Sequence, residues 1–324
     1  LLQLPGSRVS HIMGSYHYEI LRETTTDSLI MENNTREKKM NSNVYGIDLG
    51  TCNMKIYCKT SNKILNEKNT IALVKKDQIY AYGDAAYAMY EKAPETINVT
   101  FPVISGVIAD FNNLQTMLQM YLEEHMKGKI RGAEFIVAVP TDITDVEKRA
   151  FFEMFYKSKL KPKSVLLCEK PIADAVGLGL DVNEPTGIMV VDIGADTTEI
   201  SVISLGGLVL SDLLHFGGNR IDESIITYVK RTYNLVIGQK TAQALKEKLG
   251  SGIPGNTETM VIVGRDVVSG LPIEMEITGE VVYEAIKDNL NSICNSIKMI
   301  LEKTPPELAK DIIHSGIYIT GGSS

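Results

Sequence analysis

The chain has 324 residues, which is enough for two domains that each bury a core of their own. Its hydrophobic share of 44% and charged share of 23% are typical of a soluble globular protein. The net charge of −7 argues against a general nucleic-acid binder, because such a protein needs a basic face.

Cysteine and histidine usage bounds the chemistry further. The four cysteines form no CxxC pair, and the five histidines are scattered along the chain. This pattern argues against a zinc or disulfide framework and favours free thiols in a reducing cytosol. No apolar run approaches the roughly 20 residues of a membrane-spanning helix, and no signal peptide is evident. We therefore expect a cytoplasmic protein.

The first 43 residues are predicted to form a weakly structured leader, because they are mixed in character and end in a polar run at 31–39. Met40 is a candidate natural start. The alternative is a helix that lies on a membrane surface. Such a helix needs an apolar face opposite a basic one, and no clean stripe of that kind is present.

Two similar stretches, 44–57 and 189–200, organise the rest of the chain. Each predicts a buried strand, a tight turn with an aspartate and a glycine, and a returning strand. Asp48 of the first stretch aligns with Asp192 of the second, and the glycines align with them. A repeated turn of this kind indicates a duplicated domain whose halves face each other across a cleft.

Strands and helices alternate through the remaining sequence, which predicts an α/β architecture with a largely covered sheet. The helix over 112–127 has apolar residues at helical spacing. Further helices are predicted at 85–92, 141–155, 217–231, 239–250 and 280–301, and one that begins at 169 is predicted to end near Gly177 and Gly179. Further strands are predicted at 134–140, 164–168, 208–213, 258–278 and 316–320. Since the chain stops at a turn after its last strand, we expect a C-terminal part of the fold to be missing.

Taken singly, an aspartate and a glycine at a hairpin tip are only a tight turn. As a facing pair, the two turns present backbone N–H groups that suit the oxygens of a polyphosphate. Asp48 and Asp192 are then the expected holders of Mg²⁺, through water, because that ion keeps much of its hydration shell. A third turn at 321–322 leaves room for a base or ribose, or is simply the start of a helix.

Glu147 is the candidate for chemistry, with two competing roles. The sequence Thr144-x-x-Glu147 predicts a capping box, in which the glutamate bonds back to the helix start. The functional alternative is that Glu147 orients a water in line with a γ-phosphate, since phosphoryl transfer needs mainly positioning and charge stabilisation.

These motifs resemble the actin, sugar-kinase and heat-shock-chaperone ATPase superfamily and, within it, the MreB family of bacterial actins. The resemblance runs from 44 to 322. Its most specific stretches are GVIAD at 106–110, VEKRA at 146–150, PTG at 185–187, ISLGG at 203–207 and LEKTPPEL at 301–308.

The resemblance implies a duplicated actin-like, ribonuclease H-like fold of four subdomains around a nucleotide cleft. The first domain is expected at 44–180, with a small subdomain inserted at 69–110. The second is expected at 181–324, with its small subdomain at 218–286. The resemblance also implies ATP and Mg²⁺ as cofactors, slow ATP hydrolysis, antiparallel double filaments of the protein itself, and attachment to the inner face of the cytoplasmic membrane, with a role in cell shape.

Residue roles follow from the matching positions of the family pattern. The resemblance implies that the phosphates are contacted by Asp48, Gly50, Thr51, Cys52, Asn53, Gly194, Ala195, Asp196 and Thr197. It implies that the nucleoside is contacted by Gly218, Gln243, Lys246, Glu247, Gly321, Gly322, Ser323 and Ser324. Glu147 and Thr197 are expected to place the attacking water, with Asp192 as a third catalytic residue.

The sequence departs from the family pattern at the second turn, where Ala195 and Asp196 replace two glycines. Side chains there obstruct a close approach of the backbone, and Asp196 adds negative charge beside the phosphates. Cys52, Gln243 and Asn219 also stand where alanine, glutamate and an acidic residue are usual. We therefore expect ATP binding with weak, slow hydrolysis that is coupled to polymerisation.

Several alternatives stay open from the sequence. One is a filament scaffold that binds nucleotide with little or no hydrolysis, and the less favoured ones are a small-molecule kinase and a chaperone ATPase. The loop at 126–133 is a candidate membrane anchor through Met126 and Ile130, or else a solvated loop.

Overall fold

The computed structural model describes residues 43–75, 78–126 and 130–324. The predicted leader up to residue 42 and part of the candidate membrane loop, 127–129, lie outside the described residues. Within the described residues, no helix combines the length and the apolar character that a membrane crossing needs.

The strands are β1 (Val44–Leu49), β2 (Asn53–Cys58), β3 (Lys63–Lys68), β4 (Ile71–Val74), β5 (Gln78–Tyr82), β6 (Ile97–Thr100), β7 (Val103–Ile104), β8 (Val107–Ile108), β9 (Glu134–Val139), β10 (Ser164–Glu169), β11 (Ile188–Ile193), β12 (Thr198–Ser204), β13 (Gly207–Leu214), β14 (Leu235–Val236), β15 (Thr259–Asp266), β16 (Pro272–Thr278) and β17 (Ile317–Thr320). The helices are α1 (Gly83–Met89), α2 (Phe111–His125), α3 (Asp145–Tyr156), α4 (Lys170–Gly177), α5 (Gly218–Tyr233), α6 (Gln239–Leu249), α7 (Gly279–Lys303) and α8 (Pro306–Ser315).

Two sheets of the same plan form the body of the protein. The first has the strand order β10-β9-β1-β2-β3, and the second has the order β13-β12-β11-β17. In both, the central strand pairs antiparallel with the next strand of its hairpin and parallel with a later strand. The duplication that the two turns predicted is therefore confirmed, and with it the α/β class.

The central strands are buried because layers of helix cover them. All six residues of β11 are buried, as expected for a strand covered on both faces. Helix α2 buries the apolar stripe that predicted it, and this stripe packs into the core of the first half. The second half has three further clusters of buried apolar residues, two of which include residues of β11.

Two smaller sheets extend the halves. The sheet β5-β4-β6 carries α1, and the sheet β14-β15-β16 packs with α5, α6 and α7. Both lie within the stretches that the resemblance marks as inserted subdomains. The bounds of the domains themselves stay a prediction.

One of the two proposed anchors of the candidate membrane loop is wrong. Met126 is only 3% exposed and belongs to the core of the first half, so its side chain is not free to enter a bilayer. Ile130 packs against the same core but is only partly buried, and its role as an anchor stays a prediction.

Candidate functional site

The first turn joins β1 to β2 and is held in shape by Asn69. The side chain of Asn69, which is fully buried, donates from Nδ2 to the Gly50 carbonyl at 2.8 Å. Its backbone N–H donates to the Cys52 carbonyl at 2.9 Å. A Cβ at Gly50 would lie 2.9 Å from the carbonyl oxygen of Asn53, so the turn is tight at that position. Thr51 lies between these residues, so the predicted phosphate residues of the first half share one fixed turn.

The second turn joins β11 to β12 and is tied to the start of α5. The Gly194 N–H donates to the Thr197 carbonyl at 2.8 Å, which closes the turn. The N–H groups of Gly218 and Asn219 donate to the carbonyls of Gly194 and Ala195 at 2.9 and 2.8 Å. The beginning of α5 therefore lies directly against the turn, and Gly218 is brought to the predicted phosphate residues.

Asp196, the main departure from the family pattern, has donors on both carboxylate oxygens. The Ser105 N–H donates to Oδ2 at 2.9 Å, and the Asn219 side-chain amide donates to Oδ1 at 2.7 Å. The first of these bonds connects the two halves of the protein. Asp196 and Asn219, which both depart from the family pattern, thus form one hydrogen-bonded pair. The acidic residue that is usual at position 219 would repel the Asp196 carboxylate, whereas the amide of Asn219 donates to it.

The two turns meet at a buried lysine. Lys170 is the first residue of α4, and its Nζ lies 2.5 Å from Asp192 Oδ2. Burial acts to raise the pKa of Asp48, on the first turn, but the positive charge of Lys170 acts to lower it. Lys55, whose Nζ lies 3.2 Å from Asp48 Oδ2, also lowers it, and the net result is a lowered pKa of Asp48. The Lys170 ammonium therefore pairs directly with Asp192, and its charge also acts on Asp48 of the other turn.

Two further acids border this cluster without being predicted from the sequence. Burial, with repulsion from Asp192, raises the pKa of Asp174 well above its ordinary value. Burial also raises the pKa of Glu199, although the N–H of Thr141 donates to it at 2.8 Å and the Thr141 hydroxyl donates as well. Thr141 follows β9 of the first half, so this contact is a second connection between the halves.

The expected Mg²⁺ role can be tested against these donors. Asp192 Oδ2 is paired with Lys170, and Oδ1 lies against the backbone of Gly321, where a Cβ would approach it to 2.4 Å. The Asp192 side chain is 6% exposed, and that of Asp48 is 20% exposed. Among the described residues, no group of three or more histidine, cysteine, aspartate or glutamate side chains is arranged for a metal ion. The role of Asp48 and Asp192 toward Mg²⁺ stays a prediction, and the cation that lies on Asp192 in this structure is the Lys170 ammonium.

The predicted nucleoside residues of α5, α6 and the last turn converge. Lys246 Nζ lies 2.9 Å from the Gly218 carbonyl and 2.8 Å from Asp222 Oδ1. A Cβ on Gly218 would lie 2.1 Å from Ser323 Oγ, so the Ser323 side chain lies tightly against Gly218 and would have to move if a Cβ were added. The Ser323 N–H donates to the carbonyl of Ile193 at 3.0 Å. The last turn therefore joins the same region, which is called the cleft below.

The last turn keeps its shape through its own hydrogen bonds. Gly321 has a φ of 102°, which is favourable only for glycine, and the Ser324 hydroxyl donates to its carbonyl at 2.9 Å. At Gly322, a Cβ would meet no atom within 4 Å. The turn thus offers bare backbone on the side that the sequence assigned to the nucleoside.

Gln243 and Glu247 lie where α1 and α6 meet across the cleft. The Tyr87 hydroxyl donates to Gln243 Oε1 at 2.8 Å, and Gln243 Nε2 donates to Glu247 Oε1 at 2.7 Å. Lys240 Nζ donates to the Tyr87 carbonyl at 2.6 Å. The carboxylate of Glu91 accepts the N–H groups at the start of α6. This set of bonds between α1 and α6 is called the α1–α6 contact.

Glu147 forms the predicted capping box. Thr144 N–H and Oγ1 each donate to Glu147 Oε2 at 2.7 Å, and the Glu147 N–H donates to Thr144 Oγ1 at 3.2 Å. The N–H of Thr144 is the main cause of the lowered pKa of Glu147. The capping role is confirmed. The water-positioning role stays a prediction, since both bonds from Thr144 end on Oε2 and neither involves Oε1.

Sequence reasoning missed Lys170, Asp174, Glu199 and the residues of α1. A signal for Lys170 was present, because it closely follows the predicted strand at 164–168 in a chain whose strands alternate with helices, a pattern typical of parallel sheets. The carboxyl ends of parallel strands meet at one edge of a sheet, where ligands of such folds bind. Tyr87 of α1 and Glu91, which follows that helix, had no comparable signal.

Comparison with known proteins agrees with this arrangement. A family model described as MreB/Mbl protein matches residues 42–324. The cell shape-determining protein Mbl of Bacillus subtilis is 40% identical over 282 residues, which cover 86% of this chain and 84% of that protein. The cell shape-determining protein MreB of Escherichia coli K12 is 39% identical over 294 residues, which cover 88% of this chain and 84% of that protein.

Solved structures are similar over the same length. MreB5 of Spiroplasma citri bound to AMPPNP has a TM-score of 0.82 and 33% identity, and the match covers 87% of this chain and 85% of that one. Its ADP-bound form has the same TM-score and 34% identity. A MamK double helical filament has a TM-score of 0.73 at 23% identity, which shows likeness of fold alone.

Proposed function

Since the chain belongs to the MreB/Mbl family of cell shape-determining proteins, we propose that it binds ATP in its cleft and assembles with copies of itself. The actin-like fold expected from the sequence is confirmed by the similarity to MreB5. The observation that carries the ATP proposal is that three turns converge on one cleft: the first turn with Asp48 and Gly50, the second turn with Asp192 and Gly194, and the last turn with Gly321. Two related structures of the same fold hold AMPPNP and ADP.

The phosphates are proposed to bind between the two turns. Backbone N–H groups of a turn form a concave donor surface that suits phosphate oxygens. The Gly194 N–H is already used within its own turn, so the donors come from the neighbouring residues of the turns. Mg²⁺ is expected to arrive on the phosphate oxygens of ATP, and Asp48 is the more exposed carboxylate of the predicted pair.

Two glycine variants test the binding site. Gly218→Ala places a Cβ 2.1 Å from Ser323 Oγ and 3.0 Å from Lys246 Nζ, so the predicted nucleoside pocket must rearrange. Gly207→Ala is the matched control, because a Cβ there meets no atom within 4 Å. In a fluorescent-ATP titration, we expect Gly218→Ala to lose about tenfold or more in affinity, or about 1.4 kcal/mol, and Gly207→Ala to bind normally. Equal affinity of both variants and the parent would contradict the proposed site.

Slow hydrolysis with Glu147 and Thr197 at the attacking water is part of the proposal. Glu147→Ala is expected to lower phosphate release by about a hundredfold if the carboxylate orients the water, a typical size for such an effect. The variant also removes the capping box, so Thr144→Ala is the control that loses the cap and keeps the carboxylate. If Thr144→Ala lowers the release as much, the helix end and not the carboxylate is responsible.

A scaffold that binds ATP without turning it over is the second candidate. The engagement of Asp196 by Ser105 and Asn219 favours it, because a carboxylate occupies the second turn. A phosphate-release assay separates the two candidates, provided that the same sample binds fluorescent ATP. Release no faster than in buffer would favour the scaffold.

Self-assembly into antiparallel double filaments, attached to the inner face of the cytoplasmic membrane, completes the proposal. It is supported by membership of a family whose members are named for determining cell shape. Electron microscopy of the chain with ATP, with ADP and without nucleotide tests it, and filaments are expected with ATP. Flotation with anionic vesicles tests the membrane part, and chain that stays at the bottom of the gradient would refute that part.

A further inference from the structure

The lysine at the base of the cleft has the position of a structural cation. Lys170 Nζ lies 2.5 Å from Asp192 Oδ2, and the two side chains are only 20% and 6% exposed. An ammonium at this distance from a carboxylate forms a charge-assisted hydrogen bond, and both partners of this one are largely shielded from solvent.

The strand order explains how one lysine reaches both turns. Strands β10, β9 and β1 are parallel neighbours, and Asp48 and Cys168 both pair with Ala138. Lys170 follows the end of β10 and thus emerges at the same edge of the sheet as Asp48. From there its side chain crosses to Asp192 on the second sheet.

We propose that the Lys170 ammonium is the resident cation of the Asp48–Asp192 pair, so that nucleotide binding by this chain depends little on Mg²⁺. This inference rests on the proposed function in taking the cleft as the place where ATP binds. The Asp192 side chain is only 6% exposed and has the Lys170 ammonium on Oδ2, so a cation is already in place on this carboxylate, where a hydrated Mg²⁺ would have to displace it. A divalent ion placed between the two carboxylates would also be repelled by the ammonium.

Titration of MgCl₂ into the nucleotide-free chain tests the inference without relying on ATP. We expect no binding to the parent protein by calorimetry and no change in its Tm. Lys170→Met removes the ammonium at similar length and is expected to gain Mg²⁺ binding and a Tm that rises with Mg²⁺. Lys163→Met is the matched control, since Lys163 forms a 2.6 Å ion pair with Glu134 away from the cleft, and it is expected to behave as the parent. Mg²⁺ binding by the parent, or none by Lys170→Met, overturns the inference.

A second titration uses a fluorescent ATP analogue with Mg²⁺ and with EDTA. The parent is expected to bind with similar affinity in both buffers, and Lys170→Met to lose about tenfold or more in EDTA, a difference of about 1.4 kcal/mol. Equal sensitivity of the two proteins to EDTA contradicts the inference. If neither protein binds the analogue, the proposed function fails, and the MgCl₂ titration still decides the role of Lys170.

A double variant guards against loss of folding, since a buried carboxylate without its partner is strongly destabilising. Lys170→Met with Asp174→Asn also replaces a second titratable group of the same buried cluster by a neutral amide of similar shape, so that one buried acid fewer is left without the lysine. We expect a folded protein by circular dichroism, with the same gain of Mg²⁺ binding as the single variant. A folded double variant that gains no Mg²⁺ binding overturns the inference.

Discussion

The α1–α6 contact contains a helix cap that crosses the cleft, and removing it should make the cleft open more easily. The N-cap residue of α6 is Gly238, which has no side chain to cap the helix. Glu91, from the other half, accepts the Gln239 N–H at 2.9 Å and lies 3.5 Å from the Lys240 N–H. Glu91→Ala leaves these N–H groups without a protein partner and removes a negative charge from the positive end of the helix dipole.

The magnitude follows from ordinary capping energies. Loss of a capping side chain costs about 0.5–2 kcal/mol, and Glu91 is exposed, so we take about 1 kcal/mol. Since 1.4 kcal/mol is a factor of ten, the closed form should become about fivefold less favoured relative to the open form. Glu91 has a φ of 61°, and alanine is as strained there as glutamate, so the substitution isolates the carboxylate.

Release of prebound fluorescent ADP, chased with excess unlabelled ATP, measures the opening. We expect about fivefold faster release from Glu91→Ala than from the parent at low salt, and a smaller difference at high salt, because exposed charges are screened. Hydrogen exchange of the Gln239 and Lys240 amides should accelerate as well. Glu95→Ala removes a nearby exposed charge and is the control. The reasoning is refuted if Glu91→Ala releases ADP at the parent rate, or if Glu95→Ala accelerates release equally.

Three further predictions concern single side chains. Asp196→Ala removes the bond from the Ser105 N–H and should lower the free energy of unfolding by about 2 kcal/mol in urea; an unchanged midpoint would count against that link between the halves. Glu147→Ala should lower the free energy of unfolding by about 1 kcal/mol near neutral pH, because the ionised carboxylate caps the helix. The difference from the parent should vanish as the pH falls through the lowered folded-state pKa of Glu147, where the carboxylate becomes protonated. A difference that does not change with pH would refute this origin. Asn69→Ala leaves the Gly50 carbonyl without its buried donor and should lower the free energy of unfolding by about 1–3 kcal/mol. Thermal unfolding measures this loss, and Asn66→Ala, at an exposed position, is the control.

The fold was predictable because its signals are local and repeated. Each Asp-Gly turn lies between two apolar runs, so both hairpins and their duplication follow from the sequence. The stripe of α2 and the capping box of Glu147 depend on residues three and four positions apart, which sequence periodicity captures.

The contacts that join the halves were not predictable in the same way. Ser105 and Asp196 are 91 positions apart, and their bond uses a backbone N–H that carries no sequence signal. The sequence correctly marked Asp196 as a departure, but only the structure shows the donors that satisfy its charge. Lys170 looked like an ordinary helix start, and its role depends on which strand lies beside β10.

Asn69 gives the small β5-β4-β6 sheet a direct connection to the first turn. It stands between β3 and β4, and both of its bonds end on carbonyls of that turn. A rotation of the small sheet would stretch these two bonds, so its orientation and the shape of the turn are thermodynamically linked. Such a linkage is reciprocal: a ligand that fixes the turn biases the sheet by the same free energy with which the sheet biases the ligand. A neighbouring molecule that holds the small sheet would therefore change the affinity of the first turn without touching it.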